Sequence, residues 1–268
     1  LGLAVGPPNI AAGQLTRQGP ILLMLSMLTL ANTAYYLGAA GWLQDGARLG
    51  VHGGLYLMLG MVLFMGRRVI PFFTQRGVDY EVRLRNERWV DVSLFVVYPL
   101  FMISELFRPY HLAGAILAGI LLFLNSRRLM GWHTLGIWQK PLLWGLFASF
   151  IMINLGFLLR AMMPVTAIPD FLPVHGYALG GIGIVTLSMM SRVTLGHTGR
   201  DVNEPPKLVA ATLVCIISAS FIRIFLPLAD PQNYPAWVAA AGIIWIISFL
   251  LFTIAFAPML LTKRIDAP

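Results

Sequence analysis

One stretch, residues 171–200, constrains the fold of this chain more than any other. From Phe171 to Ser191 it carries no Asp, Glu, Lys or Arg, and it holds one histidine near each end, His175 and His197. The 22 residues from one histidine to the other would rise about 33 Å as an α-helix, close to the thickness of a bilayer's hydrocarbon core. The stretch therefore predicts a membrane-spanning helix whose two histidines lie near opposite membrane faces, too far apart to bind one metal.

The composition supports a membrane protein. Hydrophobic residues make up 58% of the chain, charged residues only 11%, and the mean hydropathy is +0.77. The formal net charge of +8 does not indicate a nucleic-acid-binding protein, because the basic residues form short clusters between apolar runs. The single cysteine, Cys215, excludes a disulfide framework and a CxxCH site for covalent haem within this chain.

The uncharged gaps between ionisable residues predict an all-α fold, a polytopic membrane helical bundle of about eight transmembrane helices. A single integral membrane domain over residues 1–268 is expected, with spans at about 20–42, 49–66, 89–107, 109–126, 141–159, 173–191, 209–228 and 236–257. The third span is the weakest prediction. Only 13 residues, Val92 to Ser104, separate Asp91 from Glu105, which is too few to cross a bilayer unless one end is stretched.

The distribution of basic residues predicts the orientation of these spans. With eight spans, 15 of the 19 Lys and Arg residues fall in the loops after even-numbered spans or at the termini. Positive residues accumulate on the cytoplasmic side of membrane proteins, so both termini are expected in the cytoplasm. His52, His111 and His175 then lie at the outer face.

His52 and His175 are the candidate metal ligands. Each begins an even-numbered span, and each is followed by glycine. Neutral imidazole is a common ligand of haem iron and copper, and glycine lets a flat macrocycle or another helix approach closely. The alternative is that both are interfacial histidines that bond lipid headgroups or loop carbonyls. For His111, in the same outer layer, the interfacial interpretation is favoured.

Glu105 and Arg223 are ionisable residues at positions that a membrane protein usually avoids. Glu105 could orient a ligand histidine or pass protons, or it could mark the membrane boundary in a pair with Arg108. Arg223 lies inside the seventh span and could contact a haem propionate or Glu105, or snorkel to the outer surface. Both are therefore candidate cofactor-binding residues.

Two basic segments lie at the predicted inner face. RVIPFFT, residues 68–74, follows the second span, and RVTLGHTGR, residues 192–200, ends the sixth, each with a Pro or Gly expected to end its helix. Cations are favourable near the last carbonyls of a helix, which would explain the arginines. The same helix-end effect would not explain why RVTLGHTGR also gathers a histidine, a hydroxyl and a charge around two glycines. We therefore predict an inner polar motif of Arg68, Thr74, Arg192, His197, Thr198 and Arg200.

These segments resemble the NnrS family of bacterial membrane proteins. RVTLGHTGR, the histidine-led and glycine-rich span before it, and RVIPFFT carry the resemblance, and weaker agreement extends over nearly the whole chain. The resemblance implies an inner-membrane protein of denitrifying or nitric-oxide-exposed bacteria that contains haem and copper. The matching positions are His175, Arg192, His197, Thr198, Gly199, Arg200, Arg68, Pro71, Phe73 and Thr74, with His52 by position. Family members are longer and carry a WHAHE-like motif that this sequence does not contain, so an N-terminal part is expected to be missing.

The resulting hypothesis is an NnrS-like protein of the bacterial inner (cytoplasmic) membrane that acts in nitric oxide metabolism or relief of nitric oxide stress. His52 and His175 would bind haem, and copper as well, with Arg223 or Glu105 behind them. Expected partners are the lipid bilayer, nitric oxide, an unidentified electron donor and other membrane subunits, but not nucleic acid. The alternative is a non-enzymatic transporter or a structural subunit of a larger membrane complex. No general base or nucleophile is evident, so the sequence leaves open whether the chain is an enzyme.

Overall fold

The computed structural model describes residues 15–107 and 111–265, and this part of the chain is helical with no strand. Within it, eight helices are long and apolar enough to cross a membrane. They are α1 (Leu15–Ala39), α2 (Gly46–Gly77), α3 (Arg88–Phe107), α4 (Leu112–Trp132), α5 (Pro141–Met162), α6 (Phe171–His197), α7 (Lys207–Ala229) and α8 (Tyr234–Leu261). The predicted all-α bundle with eight spans is confirmed. The prediction that it forms one domain stays a prediction.

The second helix runs past its predicted end. The sequence placed the end of this span at Gly66, before a pair of arginines, but α2 continues to Gly77 with Pro71 inside it. Pro71 has no N–H to donate to the carbonyl of Arg67 one turn earlier. The side-chain amide of Asn86 donates to that carbonyl instead, over a long distance of 3.5 Å. RVIPFFT is therefore helical, and the expectation that its proline ends the helix is wrong.

The fifth helix forms the centre of the bundle. It packs against α2, α4, α6 and α7, and 67% of its apolar window is buried. Phe147, Phe150 and Phe157 all lie in the main hydrophobic core. A helix that is apolar on every side is suited to this enclosed position. The first helix is at the edge, since it packs against α2 and none of its apolar window is buried.

The sixth helix changes its winding where its glycines lie. The segment Gly176–Gly183 is π-helical and is flanked by two α-helical segments. A Cβ on Gly176 would lie 2.8 Å from the Cα of Gly156, and one on Gly180 would lie 2.7 Å from the Cβ of Met152. Close contact with α5 therefore accounts for the small residues of this span. The π winding itself was not predicted.

Candidate functional site

The two helices that carry the candidate histidines, α2 and α6, lie side by side and run in the same direction. The rings of Tyr56 and Tyr177 are 6.3 Å apart, and further along both helices the Arg192 guanidinium lies 4.1 Å from the centre of the Phe73 ring. His52 precedes Tyr56 in α2, and His175 precedes Tyr177 in α6, each by about one helical turn or less. Both therefore lie at the same end of the bundle, named the outer end below. RVIPFFT and RVTLGHTGR meet at the opposite, inner end.

His52 is held by the backbone of its own helix. Its side chain is half-buried, and its Nδ1 lies 3.0 Å from the carbonyl oxygen of Arg48. A carbonyl can only accept a hydrogen bond, so Nδ1 carries the proton and Nε2 is the nitrogen left to bind a ligand. The Arg48 guanidinium in turn donates to the carbonyl of Leu106 at 3.0 Å. An imidazole oriented through one nitrogen while the other stays open is the arrangement usually found in metal-ligating histidines.

His175 lies in a cluster of aromatic and cationic groups. Its ring is 5.9 Å from that of Phe171. The Arg223 guanidinium lies 5.6 Å from the Phe171 ring and donates to the Tyr234 hydroxyl at 2.8 Å. Its buried Nη1 has no hydrogen-bond partner among the described residues. The structure thus brings together two residues predicted for this site, His175 and Arg223, and adds Tyr234, which the sequence did not indicate.

The two outer histidines have different neighbours. Tyr177 points towards α2, whereas His175, two residues earlier and so roughly half a turn around α6, lies near the Phe171 ring, which Arg223 of α7 also approaches. His52 is on the α2 face that carries Tyr56 one turn later. In the described ranges, no three His, Cys, Asp or Glu side chains gather in one place.

These surroundings fit haem better than copper. Haem iron needs only one or two axial imidazoles, and an arginine with a free N–H suits a propionate carboxylate. A protein copper site usually collects several nitrogen or sulfur ligands around one point. The described residues do not assemble such a set from His, Cys, Asp and Glu. Copper therefore rests on the family alone.

Glu105 pairs with an arginine that the sequence did not suggest. Both of its carboxylate oxygens accept from the Nε of Arg160, at 2.9 and 3.0 Å, and Arg160 Nη2 lies 2.8 Å from Oε1. The side chains are only 4% and 2% exposed. Of the alternatives for Arg223, the contact with Glu105 is not formed: Glu105 pairs with Arg160 at the end of α5, and Arg223 bonds Tyr234. The alternative partner Arg108 lies outside the described residues.

The inner motif contains a helix terminator. The N–H of Arg200 donates to the carbonyl of Leu195 at 2.9 Å, and the N–H of Gly199 donates to that of Gly196 at 3.3 Å. This pair of bonds is the Schellman arrangement, which requires a left-handed residue just after the helix. Gly199 provides it with a φ of 73°. The hydroxyl of Thr198 turns back to α6 carbonyls, so the hydroxyl and second glycine of the motif serve to end the helix.

The rest of the inner motif only partly converges. Arg192 stacks on Phe73, which joins the two segments, and its buried Nε has no hydrogen-bond partner in the part of the chain described. Thr74 is buried, whereas Arg68 and His197 are exposed. The contact between the two segments is therefore an arginine–aromatic contact. Whether these residues form one polar site stays a prediction.

Two buried arginines were not among the predicted site residues. Arg160 pairs with Glu105 at the outer end. At the inner end Arg128, which is 6% exposed, donates to Asp91 at 2.6 Å and to the Leu63 carbonyl at 3.0 Å. Both lie within or at the end of otherwise apolar helices. That position was the available signal, since an arginine in such a run needs a partner. Their partners are at least 37 residues away in sequence, so no local pattern reveals them.

The fold and these sites define a multi-pass α-helical membrane protein with two half-buried histidines at one end and paired basic motifs at the other. The family model of the NnrS protein matches residues 1–264. The chain therefore belongs to the NnrS family, whose members are membrane proteins related to the nitric oxide response. Neither the curated proteins nor the solved structures gave a significant match.

Proposed function

We propose that this chain is a haem-binding membrane protein that acts in nitric oxide metabolism or in relief of nitric oxide stress. The observation that carries the proposal is the geometry of His52. Its Nδ1–H is fixed on the Arg48 carbonyl at 3.0 Å, so Nε2 is the nitrogen that would hold the haem iron. Membership of the NnrS family supplies the link to nitric oxide.

His175 and Arg223 would form the second part of the haem site. His175 offers another imidazole at the same end of the bundle. The Nη1 of Arg223 is the donor for a propionate, because Tyr234 occupies only Nη2. When bound, haem supplies an iron at which nitric oxide can coordinate. The role of the protein is to orient the imidazoles, to neutralise the propionate and to exclude water with the aromatic rings around them.

We propose copper as a second metal on the strength of the family alone, with an electron donor that is not yet identified. The proposed location is a bacterial inner membrane, with both termini in the cytoplasm and the histidines at the outer face. Fifteen of the 19 basic residues lie on the side assigned to the cytoplasm, which supports this orientation.

A pyridine haemochrome spectrum with metal analysis of the purified protein tests the proposal. Haem at close to one per chain is expected. His52→Ala and His175→Ala should each remove or shift the Soret band, whereas His197→Ala, which changes an exposed histidine at the inner end, should leave it in place. Well-folded protein without haem or copper would contradict the proposal. Loss of the band only in His197→Ala would move the site to the inner end.

A structural subunit of a larger membrane complex is the second candidate. The first helix favours it, because none of its apolar window is buried and Asn32, in the middle of this span, is exposed. A polar amide at membrane depth is usually satisfied by a neighbouring helix. If this candidate is correct, mild detergent extraction should yield a complex with a second membrane protein, and Asn32→Leu should weaken it. A chain that is isolated alone and carries haem would contradict it.

A further inference from the structure

Two guanidinium groups lie on a pair of aromatic rings at the inner ends of α2 and α6. Phe72 and Phe73 of α2 contact each other with their ring centroids 5.3 Å apart. The Arg192 guanidinium lies 4.1 Å from the centre of the Phe73 ring, and the Arg76 guanidinium lies 4.3 Å from that of Phe72. Arg76 follows Phe72 by four residues and Phe73 by three, so it neighbours both rings on the surface of α2. The two positive charges therefore flank one aromatic pair.

Neither of these guanidinium groups has a carboxylate partner in the part of the chain that the structure describes. Stacking occupies the face of a guanidinium and leaves the N–H groups at its edge available. The Nε of Arg192 is enclosed by the protein without a hydrogen-bond partner, whereas its two Nη atoms are not among the enclosed atoms. The Nη groups are thus the donors that Arg192 offers to a ligand.

The described acids of the inner end do not neutralise these arginines. The Asp201 carboxylate accepts from the backbone N–H of Asn203, and Glu81 and Glu204 are exposed. Three other acids are bonded to different cations, in the pairs Asp79–Lys140, Glu87–Arg127, Asp91–Arg67 and Asp91–Arg128. The positive charge beside the aromatic pair is therefore available to an anion.

The position of the aromatic pair along its helices matches the level of lipid phosphates. Phe73 lies 21 residues beyond His52 in α2, and Arg192 lies 17 residues beyond His175 in α6. These separations correspond to about 32 and 26 Å of helix, close to the roughly 30 Å of a hydrocarbon core. With the histidines at one membrane boundary, Phe73 and Arg192 lie near the other, where the phosphates of the opposite leaflet begin.

Exposed apolar side chains lie next to both partners of the Arg192–Phe73 contact. Phe72 is 44% exposed, and Val193, which follows Arg192, is 46% exposed. A ligand that covers this surface needs an anionic group for the guanidinium and an apolar chain for Phe72 and Val193. An anionic phospholipid has both, and basic pockets between transmembrane helices on the cytoplasmic side commonly bind such headgroups. A free phosphate would leave the apolar surface uncovered.

We propose that the inner ends of α2 and α6 bind one anionic phospholipid, held through its phosphate by Arg192, with Arg76 as a second cation. An acyl chain lies along Phe72 and Val193. Because the Phe73 ring of α2 supports Arg192 of α6, the site exists only when the two helices are packed together, and the bound lipid stabilises that packing. The proposal depends on neither haem nor copper.

Native mass spectrometry of the full chain in neutral detergent tests the site. Phosphatidylglycerol and the zwitterionic phosphatidylcholine are added separately, with identical acyl chains. One phosphatidylglycerol per chain is expected to remain bound at concentrations at which phosphatidylcholine does not. Equal retention of the two lipids would overturn the proposal.

Thermal unfolding distinguishes the lipid from a free phosphate. Phosphatidylglycerol should raise the midpoint, because a ligand that binds only the folded state stabilises it. Inorganic phosphate should not reproduce this stabilisation, because it covers none of the apolar surface. Equal stabilisation by inorganic phosphate would assign the arginines to a free anion and overturn the lipid proposal.

Arg192→Gln should weaken phosphatidylglycerol binding about tenfold, as expected when a charge-assisted hydrogen bond is lost. The matched control is Arg83→Gln, which removes an equal charge from an exposed arginine between α2 and α3. It should change the affinity by no more than about twofold, since exposed charges are screened by salt. Equal losses in the two variants would overturn the proposal.

The exposed Arg76 provides a second variant in case Arg192→Gln does not fold. Arg76→Gln should weaken phosphatidylglycerol binding about fivefold, the typical contribution of one basic residue near an anionic membrane surface. An affinity equal to that of the unsubstituted protein would overturn the proposal.

Discussion

Replacing Glu105 by glutamine should destabilise the protein strongly. The substitution keeps the shape of the side chain and removes its charge, so the Arg160 guanidinium loses the carboxylate that it contacts at 2.8, 2.9 and 3.0 Å. Arg160 is 2% exposed and has only the His111 carbonyl as a further acceptor among the described residues. Breaking a buried ion pair in this way costs about 3–5 kcal/mol, most of it from the charge left without a partner. At roughly 2–4 °C per kcal/mol, the midpoint of thermal unfolding should fall by about 6–20 °C.

The assay is thermal unfolding in detergent, followed by tryptophan fluorescence, with a second ion pair as the control. Glu87 and Arg127 are bonded at 2.8 Å, but their side chains are 27% and 44% exposed, so Glu87→Gln should cost only about 0–1 kcal/mol. The double variant Glu105→Gln/Arg160→Met should recover much of the loss, because it removes the orphan charge. A Glu105→Gln shift no larger than that of Glu87→Gln, or a double variant less stable than Glu105→Gln alone, would refute the reasoning.

Two glycine substitutions follow from the same structure and are measured by the same thermal assay. Gly114→Ala should cost about 1–3 kcal/mol, because its Cβ would lie 2.1 Å from the buried Glu105 Oε1. Gly119→Ala, where the nearest heavy atom lies 3.9 Å away, should be tolerated, and equal shifts would contradict the argument. Gly199→Ala should cost about 1–2 kcal/mol, because its φ is 73°. In contrast, Gly196→Ala, inside α6 with no atom within 4 Å beyond the neighbouring backbone of its own helix, should be neutral or slightly stabilising, and an equal loss would argue against the helix terminator.

The number and class of the helices could be predicted from the sequence because membrane thickness imposes a length on every span. Uncharged gaps of that length are visible without any knowledge of tertiary structure. Details within the spans were less predictable. The four glycines at 176, 180, 181 and 183 indicated close packing, but a π-helix differs from an α-helix only in how its backbone bonds are paired. The close contacts of Gly176 and Gly180 with α5 are set by tertiary packing, which no local pattern encodes.

The candidate site was predictable in its parts but not in its pairings. His175 and Arg223 were both selected from the sequence, and the structure places both near the ring of Phe171. Tyr234, which fixes the guanidinium, follows a loop and resembles an ordinary interfacial tyrosine. Arg160 was not among the residues selected from the sequence. Its partner Glu105 is 55 residues away, and such pairs are set by helix packing rather than by sequence spacing.

The third span shows how helix packing changes the number of uncharged residues that a membrane-spanning helix needs. Asp91 and Glu105 are 14 residues apart, so along α3 they are separated by about 21 Å, less than the roughly 30 Å of a hydrocarbon core. Neither acid needs to reach the headgroups, because Arg128 of α4 bonds the first at 2.6 Å and Arg160 of α5 bonds the second at 2.8 Å.

Each of these arginines also donates to a backbone carbonyl, Arg128 to that of Leu63 and Arg160 to that of His111. The charges that made α3 look too short are thus neutralised within the protein at both ends. A span must be long enough to bring the charges at its two ends to water. Asp91 and Glu105 are paired with arginines, so neither needs to reach water. The 13 uncharged residues of α3 are sufficient because the neighbouring helices supply the counter-charges.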